Sequence, residues 1–208
     1  MEELREGLWR WTAPHPDWTE DQDWPREVSA FAHLGEDGRL VLIDPIAENG
    51  GWGPVDALAE EHGGVRAVLV TVHWHHRDAA AAAARFGAEL YAPTLAKPQP
   101  RESLRNASPL EDGTDAGGGI RALVIPEAEE ALLWLGAART LLAGDVLLAV
   151  DGRLRVCPDS WLDDPANAGA ARDSLRRALD LPVAAVAVSH GEPPLFEGRE
   201  ALERALRE

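Results

Sequence analysis

Four short segments carry side chains able to bind a metal ion or move a proton. They are Leu42-Ile43-Asp44-Pro45, Thr71-Val72-His73-Trp74-His75-His76-Arg77-Asp78, Leu142-Ala143-Gly144-Asp145, and Val188-Ser189-His190-Gly191-Glu192-Pro193. Each closes an apolar run of the kind that forms a buried strand. Strand ends are where α/β folds place reacting groups, because loops there vary on a rigid base. Imidazole and carboxylate are donors that zinc, iron and manganese accept, so the residue types point to a divalent metal site.

The surrounding patterns show what must position these residues. Strand-like runs cover residues 8–12, 28–34 and 39–43, the last two joined by Gly35-Glu36-Asp37-Gly38, a hairpin signal. Residues 54–61 read as a helix closed by Gly63-Gly64, and 65–72 as a buried strand. Asp78 opens an alanine-rich helix ending near Gly87, and a short strand follows at 88–92. Residues 97–119, rich in Pro, Gly and polar side chains, read as a long surface connection. Beyond it come strands at 120–125, 131–135 and 140–143, an amphipathic helix at about 164–180, a strand at 183–188 and a helix at 198–207. Strand runs in both halves with helices between predict an α/β fold of two packed sheets carrying helices on their outer faces. No linker divides the chain, so one domain is expected over residues 1–208.

In order and spacing, the four segments resemble the metallo-β-lactamase fold superfamily, over nearly the whole chain. The resemblance implies an αββα four-layer sandwich of two mixed β-sheets. It implies that a His-x-His-x-Asp-His loop, a later Pro-Gly-His, a Gly-Asp and a final Gly-His or Ser-His hold one or two metal ions. It also implies hydrolysis of an ester, thioester, amide or phosphoester by metal-activated water, with Asp44 holding loop backbone and not metal. The stretch from Leu8 to Trp18 resembles a branch of bacterial members in which the metal loop is eroded.

Against that motif the loop is incomplete in either frame. Anchoring on Asp78 puts Trp74 at the first His, His76 at the second and Ala79 at the third. Anchoring on His73 and His75 recovers a His-x-His pair but puts Arg77 where the Asp belongs. Ala128 stands where the Pro-Gly-His histidine is expected. The Asp78 frame retains His76, Asp78, Asp145 and His190, a set able to hold one ion, with Asp78 as the catalytic carboxylate that orients water. The expected cofactor is at most one divalent ion of zinc, iron or manganese, or none, and a dinuclear centre is not expected.

Plainer roles compete with these. Asp78 precedes six alanines and suits a helix N-cap. In an extended segment His73 and His75 would point one way and Trp74 and His76 the other, so a turn is needed before more than two face one pocket. Of eight Trp, five (Trp9, Trp11, Trp18, Trp24, Trp52) lie in the first quarter. They read as packing an N-terminal hairpin on the sandwich, while Trp74 is a candidate for filling the volume a metal would take. Glu127, Glu129 and Glu130 read as a solvated acidic loop, or else as a replacement ligand. His15, His33 and His62 read as surface or structural residues.

Composition bounds the partners. With 36 Asp+Glu against 20 Lys+Arg the formal charge is −16, which excludes nucleic acid and anionic membrane surfaces as partners. Cys157 stands alone and forms no internal disulfide. The charged first 11 residues lack a signal-peptide core, and no apolar run approaches the roughly 20 residues that span a bilayer. A cytoplasmic protein is expected. Two functions follow. One is a member without the dinuclear zinc centre or efficient hydrolysis, which binds a small-molecule ligand or a protein partner. The other is a hydrolase of an ester, thioester or related bond working with a single non-standard metal ion. The Trp-rich N-terminal surface would suit a homodimer interface.

Overall fold

A computed structural model describes residues 1–47, 51–94 and 102–208 of the protein. Seven strands run in chain order across the first sheet: β1 (Glu2–Arg5), β2 (Leu8–Pro14), β3 (Glu27–Leu34), β4 (Leu40–Ile43), β5 (Val65–Leu69), β6 (Glu89–Pro93) and β7 (Ser108–Leu110). Strands β1 to β4 pair antiparallel, and β4 to β7 pair parallel. Parallel neighbours need a crossover, and the two helices α1 (Gly53–Glu61) and α2 (Ala79–Phe86) supply those on either side of β5.

The second half contributes β8 (Ile120–Ile125), β9 (Glu130–Leu135), β10 (Thr140–Ala143), a hairpin of β11 (Leu147–Val150) and β12 (Arg153–Val156), then α3 (Ala168–Arg176), β13 (Ala185–Val188), β14 (Leu195–Glu197) and α4 (Arg199–Ala205). Its main sheet has the order β14-β13-β10-β9-β8, with only β10 and β13 parallel.

Strand alternation explains the layering. Leu40 and Leu42 join Val55, Leu58 and Ala82 in a core between the first sheet and its helices. Val41 and Ile43, pointing the other way, meet Leu133 and Leu142 between the two sheets. Leu132 and Leu141 pack outward with Leu175 and Leu202 against α3 and α4. Three apolar layers between four structural ones make the αββα sandwich that the patterns imply. Burying each such leucine stabilises the fold by about 1.5–3 kcal/mol.

Several elements differ from the sequence reading. The amphipathic stretch at 164–180 is α3 flanked by 3₁₀ turns at Pro165–Asn167 and Arg177–Asp180. Of the connection at 97–119, residues 97–101 lie outside the described residues, and β7 turns part of the remainder into a parallel edge strand. The short strands β1, β7, β11, β12 and β14 have three or four residues each, too few for an alternating pattern to stand out. Among the described residues, no helix is long and apolar enough to cross a membrane.

Candidate metal centre

On the second-sheet side, strand register delivers two donors together. β10 and β13 run parallel with Ala143 opposite Val188, so Asp145 and His190 each emerge two residues past a paired position. Buried Glu130, at the start of β9, clamps the first of these turns. Its carboxylate accepts the N–H groups of Gly144 at 2.7 Å, Asp145 at 2.9 Å and Val146 at 2.8 Å. Glycine is needed on both turns: a Cβ on Gly144 would collide with Thr71 Oγ1, and one on Gly191, whose φ is +83°, with the Ala149 carbonyl.

On the first-sheet side, Asp44 follows β4 with φ at 47°, a left-handed conformation that costs a residue with a Cβ roughly 1–2 kcal/mol. Its buried carboxylate offsets this by accepting the Thr71 N–H at 2.8 Å and the Thr71 hydroxyl at 2.5 Å, and by contacting His75 Nδ1 at 2.9 Å. Beyond β5 the chain does not stay extended. The His75 N–H bonds the Val72 carbonyl at 2.8 Å, and His73–His76 wind into a 3₁₀ turn. That turn points the His75 ring inward, 2% exposed. Arg77, with φ at 30°, ends it and donates to the carbonyls of Ser29 at 2.7 Å and Asp44 at 3.1 Å.

The two sides converge on three donor atoms. His75 Nε2 lies 3.0 Å from Asp145 Oδ1, His190 Nε2 lies 2.9 Å from the same oxygen, and the two Nε2 atoms are 3.4 Å apart. Donors around a tetrahedral ion with bonds of 2.0–2.1 Å sit about 3.3 Å from one another, so the trio has the spacing of a ligand face. Asp145 Oδ1 is buried between the two rings yet accepts no well-aligned hydrogen bond. In the neutral ring that a metal ion requires, contact with Asp44 at Nδ1 selects the tautomer whose Nε2 lone pair faces the trio, the outer support that metal-binding histidines commonly have. The residues fit a metal ion. The other Asp145 oxygen accepts the Trp74 indole N–H.

Electrostatics follow from the same contacts. Burial and Arg77 press the His75 pKa down, but Asp145 and Asp44 outweigh them and lift it to about 9. Burial alone would raise Asp145; the neighbouring imidazoles hold it well below the usual carboxylate range. Glu130 is pushed up by burial and by the charge of Asp145. A cavity of about 380 Å³ opens over the trio, with His15, Trp24, Trp74 and Trp161 in its wall. Burial and the charge of Arg77 bring His15 down to about 4.

No family profile matches the chain, and no curated protein sequence does. Solved structures do match. A metallo-beta-lactamase family protein from Thermus thermophilus aligns with a TM-score of 0.66 at 20% identity, over 98% of this chain and 79% of its own. DIM-1 metallo-beta-lactamase gives 0.72 at 11% identity, over 99% of this chain and 94% of its own. TTHA1623, solved in a di-iron-bound form, gives 0.61 at 23% identity, over 83% and 91%. The chain has the metallo-β-lactamase fold.

On that fold, the structure brings Asp145 and His190 together with His75, and leaves His76 and Asp78 outside the group of three. The 3₁₀ turn is the reason: it aims His75 inward, whereas anchoring the motif on Asp78 points to His76. Asp78 is committed elsewhere, accepting the Ala47 N–H at 2.8 Å, and it makes no side-chain cap on α2. Glu130 is fully buried and holds backbone, so the acidic loop is neither solvated there nor a ligand. His15 and Trp24 come from the loop between β2 and β3, and nothing in their spacing marked them for the cavity. His33, by contrast, is structural, its Nδ1 lying 3.0 Å from the Gly7 carbonyl.

Proposed function

We propose that this protein is a one-metal member of the metallo-β-lactamase fold, without the dinuclear zinc centre and without the efficient hydrolysis such a centre supports. The observation that carries this is the trio His75, Asp145 and His190, whose donor atoms lie 2.9–3.4 Å apart. Two imidazoles and a carboxylate suit zinc, iron(II) or manganese. Two further facts support a single ion. The Trp74 N–H occupies the Asp145 oxygen that a second ion would share, and Asp78 is tied to Ala47. An ion held on the trio would supply Lewis acidity and bring the pKa of water toward neutrality. The chain's own part is to orient His75 through Asp44, to hold the Asp145 turn on Glu130, and to shield the trio with Trp24, Trp74 and Trp161. The volume of about 380 Å³ suits a small-molecule ligand, and the acidic charge balance disfavours nucleic acid or an anionic membrane.

A second reading, hydrolysis of an ester or thioester with that single ion, draws support from the trio itself. Three protein donors leave a coordination position open, and all three line the cavity. Assaying p-nitrophenyl acetate and an acyl thioester with the protein loaded with zinc, iron or manganese separates the two. The first reading expects turnover no faster than that of His190→Ala. Turnover abolished by His190→Ala overturns it in favour of the second.

A further inference from the structure

The cavity wall combines three features. First, each of its three indoles has already used its one donor: Trp24 Nε1 bonds Gln22 Oε1 at 2.9 Å, Trp161 Nε1 bonds Asp23 Oδ2 at 3.0 Å, and Trp74 Nε1 bonds Asp145. What they offer a ligand is therefore ring surface. Second, Trp24 and Trp161 both stand nearly at right angles to the His190 ring, with centroids 5.5 and 6.1 Å from it. Ring surface thus sits directly beside the metal-binding trio. Third, the exposed charged groups of the wall are acidic: Asp17 and Asp23, with Asp145 deeper in beside the two histidines. Among the described residues lining the cavity there is no lysine or arginine.

An anionic ligand would have to pass the exposed carboxylates of Asp17 and Asp23 at the mouth and would find counter-charge only deep in the cavity, at the trio. A neutral apolar ligand would use the rings and leave the acidic groups idle. A small, strongly hydrated cation would use the acids and gain little from indole. A soft organic cation uses both, because its charge is spread over methyl groups, costs little to desolvate, and is attracted to the negative face of indole.

We propose that the cavity recognises a small molecule carrying a quaternary or similarly methylated ammonium group, held against Trp24 and Trp161 with Asp17 and Asp23 near it. This rests on reading the cavity as the ligand site of the metal centre. The remainder of such a molecule would reach toward His75, Asp145 and His190.

Choline is the probe, and its uncharged carbon isostere, with tert-butyl in place of trimethylammonium, is the control. Binding is followed by tryptophan fluorescence and calorimetry at low ionic strength, on metal-free and zinc-loaded protein. Choline should bind at least about tenfold more tightly than the isostere, the range that cation–π and carboxylate attraction produce together. Trp161→Leu should weaken choline by at least about fivefold, and the Asp17→Asn, Asp23→Asn double variant by about threefold, with isostere binding unchanged in the latter. Equal affinity for choline and the isostere, or tighter binding of acetate than of choline by the metal-free protein, overturns the proposal. If Trp161→Leu does not fold, the isostere comparison on the unaltered protein decides. Zinc binding measured in parallel keeps the two readings apart. Zinc bound without choline preference removes the cation proposal alone, while choline preference without zinc removes the metal reading alone.

Discussion

Asp145 and His190 reach the site directly off β10 and β13, two paired parallel strands, whereas His75 reaches it through a one-turn detour after β5. On the first side the strand register, Ala143 against Val188, decides where the donors fall. On the second, local hydrogen bonds decide: the His75 N–H to Val72, Asp44 to His75 Nδ1, and Arg77 to two carbonyls. A donor fixed by register keeps its place as long as the sheet does. A donor fixed by a turn depends on every bond that shapes the turn.

The largest effect expected from this contrast is on metal affinity. His190→Ala and His75→Ala should each weaken zinc binding by more than about a hundredfold, since each removes one of three donors, while His76→Ala should leave it within about threefold. Zinc titration with a competing chelator reads this. If His76→Ala proves as damaging as His75→Ala, the turn geometry is wrong.

Next in size is the clamp under Asp145. Glu130→Ala leaves three backbone N–H groups without their acceptor, and at roughly 1–3 kcal/mol per buried unsatisfied group the loss should exceed about 3 kcal/mol. Thermal unfolding should then fall by at least about 6 °C for a chain of this size. An unfolding temperature within a degree or two of the parent would show that register alone holds the Asp145 turn.

On the opposite side, Asp44→Asn should reduce zinc affinity by about 10–100-fold, the usual cost of losing the outer partner of a metal-binding histidine. Asp78→Asn, removed from the trio, should leave zinc affinity unchanged and cost only about 1 kcal/mol through its bond to Ala47. Calorimetry on both proteins tests the pair, and equal losses of zinc affinity would erase the distinction between them.

The smallest effect concerns Trp74, whose N–H holds an Asp145 oxygen. Trp74→His frees that oxygen and adds an imidazole, so metal uptake should rise above that of the parent protein. Unchanged stoichiometry would show that Trp74 does not limit the site.

The same contrast explains what could be read from the sequence. Asp44, Asp145 and His190 each close an apolar run and were legible as strand-end residues, and the layering followed from strand and helix patterns. His75 was not separable from His76, because two frames fit the segment 73–78 and only the 3₁₀ turn, ended by Arg77 at positive φ, chooses between them. Glu130 read as part of a charge run, and burying it requires the three N–H groups of a turn 14–16 residues away. Trp24, Trp161 and His15 come together from loops distant in sequence, a meeting that no periodicity encodes.

The central claim is one metal ion on His75, Asp145 and His190. The most direct test is the metal content of the purified protein after dialysis against trace zinc, iron and manganese, measured by mass spectrometry alongside His190→Ala. The account predicts one tightly held equivalent per chain, lost in the variant. Two equivalents, none, or one that survives in His190→Ala would contradict it.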